Sequence, residues 1–159
     1  MKRIVTFAVF TLGMVYFAQA QVNPRALGLR LGSDGDISGA EISYQHATGG
    51  PNRMEWDLGF GSSRRHNRIH LAAIYHWVWP ITNGLNWYAG PGGSIGFHTY
   101  RDYADTFNMA LGGQVGLEYD FNYQDAPILL SLDIRPLWDF IGEHAGLGWG
   151  LSLGIRYTW

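Results

Sequence analysis

The sequence predicts an all-β fold: eight antiparallel strands closed into an up-and-down transmembrane barrel with short loops. Three observations carry this expectation. Eight stretches of the chain alternate in steps of two, the period of a strand whose faces meet different surroundings. The alternation sets bulky Leu, Ile, Trp, Tyr and Phe against Gly, Ser, Gln, Glu, Asp and Arg. Among 159 residues only 15% are charged, while 15% are aromatic and 22 are Gly; a soluble domain carries about a quarter charged residues. No run of about 18 apolar residues follows the first 20 positions, which excludes a helical membrane protein. The absence of Cys excludes a disulfide scaffold and a thiolate metal site.

The first 20 residues read as an export leader. Lys2 and Arg3 form a basic start, residues 4–17 an apolar run, and Ala18-Gln19-Ala20 a small-x-small cleavage site. The run is too short to span a bilayer as a helix. The expected organisation is a signal peptide, 1–20, and a barrel domain, 21–159. The mature chain then has no Lys. Its nine basic residues are all Arg, and nine against 13 carboxylates leave a net charge of −4. That balance argues against nucleic acid, which asks for a basic face.

The strands follow in order. In 26–32, Leu27, Leu29 and Leu31 alternate with Gly28, Arg30 and Gly32. In 40–46, Ile42 and Tyr44 oppose Glu41, Ser43 and Gln45. In 53–60, Met54, Trp56, Leu58 and Phe60 oppose Arg53, Glu55, Asp57 and Gly59. The fourth, 69–79, is the least distinct, since Ile74 and Val78 share a face with His70 and His76. In 85–97, Trp87, Ala89, Ile95 and Phe97 oppose Asn86, Tyr88 and a series of Gly. In 109–121, Leu111, Val115, Leu117, Tyr119 and Phe121 oppose Gly112, Gln114, Gly116, Glu118 and Asp120. In 128–138, Ile128, Leu130, Leu132 and Ile134 oppose Ser131, Asp133 and Arg135. The last, 147–159, sets seven apolar residues against Gly148, Gly150, Ser152, Gly154, Arg156 and Thr158. Segments rich in Gly, Asn, Asp, Ser and Pro separate them, as turns require.

A soluble barrel would turn the bulky set inward. An eight-stranded interior is only just wide enough for side chains, so that many large residues would not fit. Turned outward to lipid they fit, and the small and charged residues fill the lumen. That inverted pattern marks a transmembrane barrel. Strands of about 9–11 residues suit a tilted crossing. Trp77, Trp79, Trp87, Trp138, Tyr157 and Trp159 stand near stripe ends, as interfacial aromatics do.

On these residues the chain resembles the small eight-stranded outer-membrane barrels of Gram-negative bacteria, the OmpX-like proteins and the OmpA membrane domain. The resemblance covers 25–159. Its most specific piece is Gly154-Ile155-Arg156-Tyr157-Thr158-Trp159, which looks like the C-terminal signal read by the barrel-assembly machinery, with Tyr157 and Trp159 as its aromatic positions. The family usually ends in Phe. Segments such as Ala40-Glu41-Ile42-Ser43-Tyr44 and Leu132-Asp133-Ile134-Arg135-Pro136 look like those of uncharacterised small barrel proteins, to which the family assigns no reaction. The resemblance implies a monomer in the bacterial outer membrane, exported through the periplasm. Its partners would be membrane lipid, lipopolysaccharide and, during insertion, the assembly machinery.

With both termini in the periplasm, segments 33–39, 61–68, 98–108 and 139–146 face outward, and all are short. The lumen set holds Arg30, Arg53, Arg135 and Arg156 with Glu41, Glu55, Asp57, Glu118, Asp120 and Asp133. Charges in a narrow interior must pair, and Arg serves because its planar fork satisfies several acceptors. The expectation is a salt-bridge plug. A proton, ion or solute path is the alternative. The inward Gly residues are expected to make room for Tyr88 and the arginines, the rival being a cavity for an acyl chain or other ligand.

Pro91 and Pro136 each remove a ladder hydrogen bond from a strand, as in the lipid A palmitoyltransferase barrel. A lipid-modifying enzyme is therefore a further alternative. No catalytic, cofactor or metal site is expected. Barrel lipid A deacylases carry His-x-Ser, and none of the six His here has Ser two positions on. His70 and His76 share a face but lie roughly 20 Å apart along a strand, too far to share a metal. His66, His98 and His144, with Ser63, Asp102 and Asp105, fall in outward segments, but their spacing asks for no reaction. Arg64, Arg65 and Arg68 form the one basic run, placed where lipopolysaccharide phosphates would lie. The expected role is structural: support of envelope integrity or of surface interaction.

Overall fold

The computed structural model describes residues 22–34, 37–62, 66–100, 106–141 and 146–159. Eight strands close into one antiparallel barrel in sequence order. They are β1 (Arg25–Asp34), β2 (Ile37–Gly49), β3 (Asn52–Ser62), β4 (His66–Thr82), β5 (Leu85–Tyr100), β6 (Thr106–Asp120), β7 (Ile128–Ile141) and β8 (Gly146–Thr158). β1 pairs with β8 from Ala26↔Thr158 to Asp34↔Gly150, so no edge is left open. The expected leader, 1–20, lies outside the described residues.

The strands run further than the alternation alone suggests. Pairing with a neighbour carries each ladder beyond the last alternating residue: β4 reaches from His66 to Thr82, through a register shift at Pro80 and Thr82. β6 starts earlier than the alternation suggests but stops one residue sooner, at Asp120, because Asp120 accepts from Asn122 N at 2.9 Å and starts a 3-10 turn, Phe121–Gln124. At the same end of the barrel Gly50 and Gly84 take the left-handed backbone that their tight turns require.

Partners stay in register around the wall, as in Ser33, Leu151, Ile134, Val115, Ala89, Trp77 and Asn52. One such circuit shifts by roughly ten residues, the stagger that tilts strands by about 35–45° in a closed eight-stranded wall.

The inside is polar. Eighteen polar or charged side chains are buried, against seven apolar ones, among the described residues. The outside is the reverse: every large outward aliphatic of β8 is more than half exposed, Leu147 at 63% and Leu153 at 59%. A water-facing wall of that kind would aggregate; hydrocarbon is the solvent it fits. Near the end that holds the termini, aromatics pack in pairs, Trp79 with Trp87 at 4.3 Å and Tyr157 with Trp159 at 6.1 Å between centroids.

The two prolines interrupt ladders without opening the wall. Pro91 pairs with Gly113, but the β4–β5 ladder passes from Ile74↔Gly92 to Trp77↔Ala89. Pro136 pairs with Trp149, and the β6–β7 ladder passes from Gly112↔Leu137 to Val115↔Ile134. Each break follows from the missing N–H.

Candidate functional site

Among the described residues, the lumen is where charged and polar side chains gather. Parity puts alternate residues of every strand inside, and the stagger decides which of them meet. Arg30 on β1 pairs with Glu41 on β2 and Asp133 on β7, and reaches Asp57 on β3 at 3.1 Å. Arg135 on β7 pairs with Asp57 and lies 3.3 Å from Glu55 and 3.4 Å from Glu41. Arg156 on β8 meets Glu55 at 2.9 Å, Ser43 at 2.9 Å and Ser131 at 2.8 Å.

Glu55 also accepts from Gln45 at 2.5 Å and Gln114 at 3.1 Å. It is fully buried. Multiple donors on one carboxylate are what make burial of that charge tolerable.

Arg53 and Glu118 form a second group nearer the termini, 2.6 Å apart. Arg53 also donates to His76 Nδ1 at 3.3 Å and lies 4.8 Å over the Tyr88 ring. Tyr88 in turn donates to Asp133 at 2.9 Å, which joins the two groups. Asp120 stands apart. It accepts from Asn23 at 2.7 Å at the terminal end, where Asn122 also donates to Thr158 at 2.8 Å. Val22 packs there against Val78 and Tyr88.

Toward the opposite end the charges give way to a cavity of about 80 Å³. Gly32, Gly39, Gly61, Gly148 and Gly150 line it with bare backbone; Arg68, His70 and Asp139 face them, and Glu41 and Arg135 form its floor. His70 Nε2 lies 2.9 Å from Glu41 Oε1. Its ring lies against Gly59, and a Cβ there would clash with the ring's Cε1.

Several placements differ from the sequence reading. Arg68 belongs to β4, not to a loop: the alternation of Ile69 and His70 continues back through it, so it points into the cavity. Arg64 and Arg65 lie outside the described residues. His66 and His98 are residues of strands β4 and β5; His144, Ser63, Asp102 and Asp105 lie outside the described residues. His70 and His76 hold separate partners, Glu41 and Arg53. Leu129 is buried in the lumen although the sequence reading left it unassigned; its parity with Ser131 and Asp133 was the available signal. Ser43, Gln45, Gln114 and Ser131 also serve as partners of the charged groups. Their polarity on an inward face was the only sign of it.

A closed eight-stranded wall, apolar outside and charged within, defines a small transmembrane β-barrel of the outer-membrane type. Solved structures share that fold. Neisserial surface protein A (NspA) matches with a TM-score of 0.65 at 15% identity, over 85% of this chain and 95% of that one. The N-terminal β-barrel domain of Pseudomonas aeruginosa OprF matches at 0.55 and 17% identity, over 86% and 100%. A de novo designed transmembrane β-barrel matches at 0.54 and 14% identity, over 89% and 99%. At such identities the likeness is one of fold. No protein-family model and no curated protein matches the chain.

Proposed function

We propose that the protein is a small structural component of the bacterial outer membrane, supporting envelope integrity or surface interaction, and that the Arg–carboxylate network plugs its lumen. Residues 1–20 direct export, and Tyr157 and Trp159 end the pattern that the assembly machinery reads. The mature chain acts as a monomer among lipid and lipopolysaccharide, with no reaction and no cofactor. The observation that carries the plug is that Arg30 on β1 and Arg135 on β7 share the carboxylates of Glu41 on β2 and Asp57 on β3. Side chains that cross-link four strands through the middle leave no continuous aqueous path. Conductance in planar bilayers tests this. The expected trace is flat, and steady single-channel steps from purified protein would overturn the plug.

The cavity above the network, toward the end opposite the termini, supports a second reading, a small-ligand site. Lipopolysaccharide contact rests on Arg64 and Arg65, since Arg68 lines the cavity. If replacing both leaves lipopolysaccharide co-purification unchanged, that contact is lost from the proposal.

A further inference from the structure

The apolar belt is not equally tall around the barrel. On β4 to β8 the outward residues of 69–81, 85–97, 107–119, 128–140 and 147–159 include no charged residue and no Ser, Thr, Asn or Gln for seven successive positions. Twelve residues of tilted strand span about 30 Å of height. On β1 the outward apolar row covers only 27–31, on β2 only 40–44, and on β3 only 54–60. Those rows span about 10, 10 and 15 Å by the same rise and tilt. Below them the outer wall carries exposed Arg25 and Thr48 and half-buried His46 and Asn52; above β3 it carries exposed Ser62.

Each step from one strand to the next shifts the level by little more than one residue, the circuit's stagger shared among eight strands. Corrected for that shift, His46 on β2 is level with Leu130 on β7, and Ala40 on β2 with Leu151 on β8. The short and tall rows also share a common mid-height. A tilt of the whole barrel would move the two sides in opposite directions and cannot reconcile them.

We infer that the barrel locally thins the bilayer along β1–β3, and that this face is a contact for a lipid surface with a shortened hydrocarbon layer. A short belt is accommodated by thinning, by snorkelling side chains or by association with protein. A second copy fits poorly. Three strands make a strip about 14 Å wide, or roughly 430 Å² in projection at full height, well under the roughly 800 Å² per partner of a stable interface. The rows themselves are built for lipid: Leu27, Leu29, Leu31, Ile42 and Phe60 are each about half exposed. The inference goes beyond the structural role proposed above and does not depend on the plug.

The chain has no Cys, so single nitroxide labels can be placed at will. The four variants His46→Cys, Leu130→Cys, Ala40→Cys and Leu151→Cys form two level pairs. Each is folded into vesicles of phosphatidylcholine with 16- to 18-carbon chains, whose hydrocarbon layer is about 30 Å thick. Collision with oxygen and with an aqueous nickel complex is then read by electron paramagnetic resonance. The label at 46, below its row, is expected to meet nickel and that at 130 oxygen; the label at 40, the last position of its apolar row, is expected to meet more nickel and less oxygen than that at 151. Equal depths within each pair would overturn the inference, since the bilayer is then uniform. Labels at 46 and 40 shielded from both probes would also overturn it, in favour of a second copy of the chain on that face. Heat-modifiable migration in gels confirms that each variant is folded, and a neighbouring position on the same row replaces any that is not.

Discussion

Arg156 and Glu55 lie 2.9 Å apart across the lumen, neither side chain exposed, and they join the last strand to the third over 101 residues of sequence. Glu55 also receives Arg135, Gln45 and Gln114. Replacing Glu55 by Ala therefore strands the Arg156 guanidinium, which pairs with no other carboxylate among the described residues, and removes one of the three that Arg135 meets. Breaking a buried pair by removing one partner costs about 3–5 kcal/mol. Urea unfolding in lipid vesicles, followed by Trp fluorescence, measures it. A loss below about 1 kcal/mol, the scale of an exposed pair, would remove Glu55 from the centre of the network.

The same pair predicts strong non-additivity. Glu55→Gln with Arg156→Met removes both charges together. The double variant is expected to be more stable than the sum of the two single losses by about 0.5–3 kcal/mol, the range for contacting residues. Additive losses would mean that the two side chains do not interact.

Gly59 leaves the space that the His70 ring fills. Gly59→Val should push the ring away from Glu41 into the cavity, at a cost of about 1–3 kcal/mol for overpacking. A nuclear magnetic resonance spectrum of the folded protein reads the His70 ring signals directly. Unchanged signals would mean that the ring does not lie against residue 59.

Leu153 is 59% exposed at mid-belt on β8, paired with Leu31 and Leu132. Leu153→Arg should cost about 2–4 kcal/mol, the price of a cation at the bilayer midplane. Unfolding in vesicles measures the loss. A loss within about 0.5 kcal/mol, typical of a water-facing surface, would contradict lipid exposure of that face.

Asp120 holds the terminal end together through Asn23 and Asn122. Asp120→Ala removes a turn cap and leaves both amides without this acceptor. The expected loss is about 1–2 kcal/mol, with faster amide hydrogen exchange confined to 22–26 and 120–126. Exchange that speeds up uniformly around the barrel would assign Asp120 a global role instead.

The sequence by itself determined strand number and the side of the wall on which nearly every residue falls, because a period of two ties parity to environment. It read Leu147, Leu151, Leu153 and Ile155 as lipid-facing and Arg30, Glu55 and Asp133 as inward from their positions alone. It left Leu129 unassigned inside an unbroken apolar run, and it placed Arg68 in a loop because the alternation is weak on β4. Only the tertiary structure decided which inward charges meet, that Arg156 reaches Glu55 and that Arg53 reaches Glu118. Parity fixes a face but not a height. Heights across the lumen follow from register and from the stagger accumulated over the whole circuit, which exists only once β8 closes on β1.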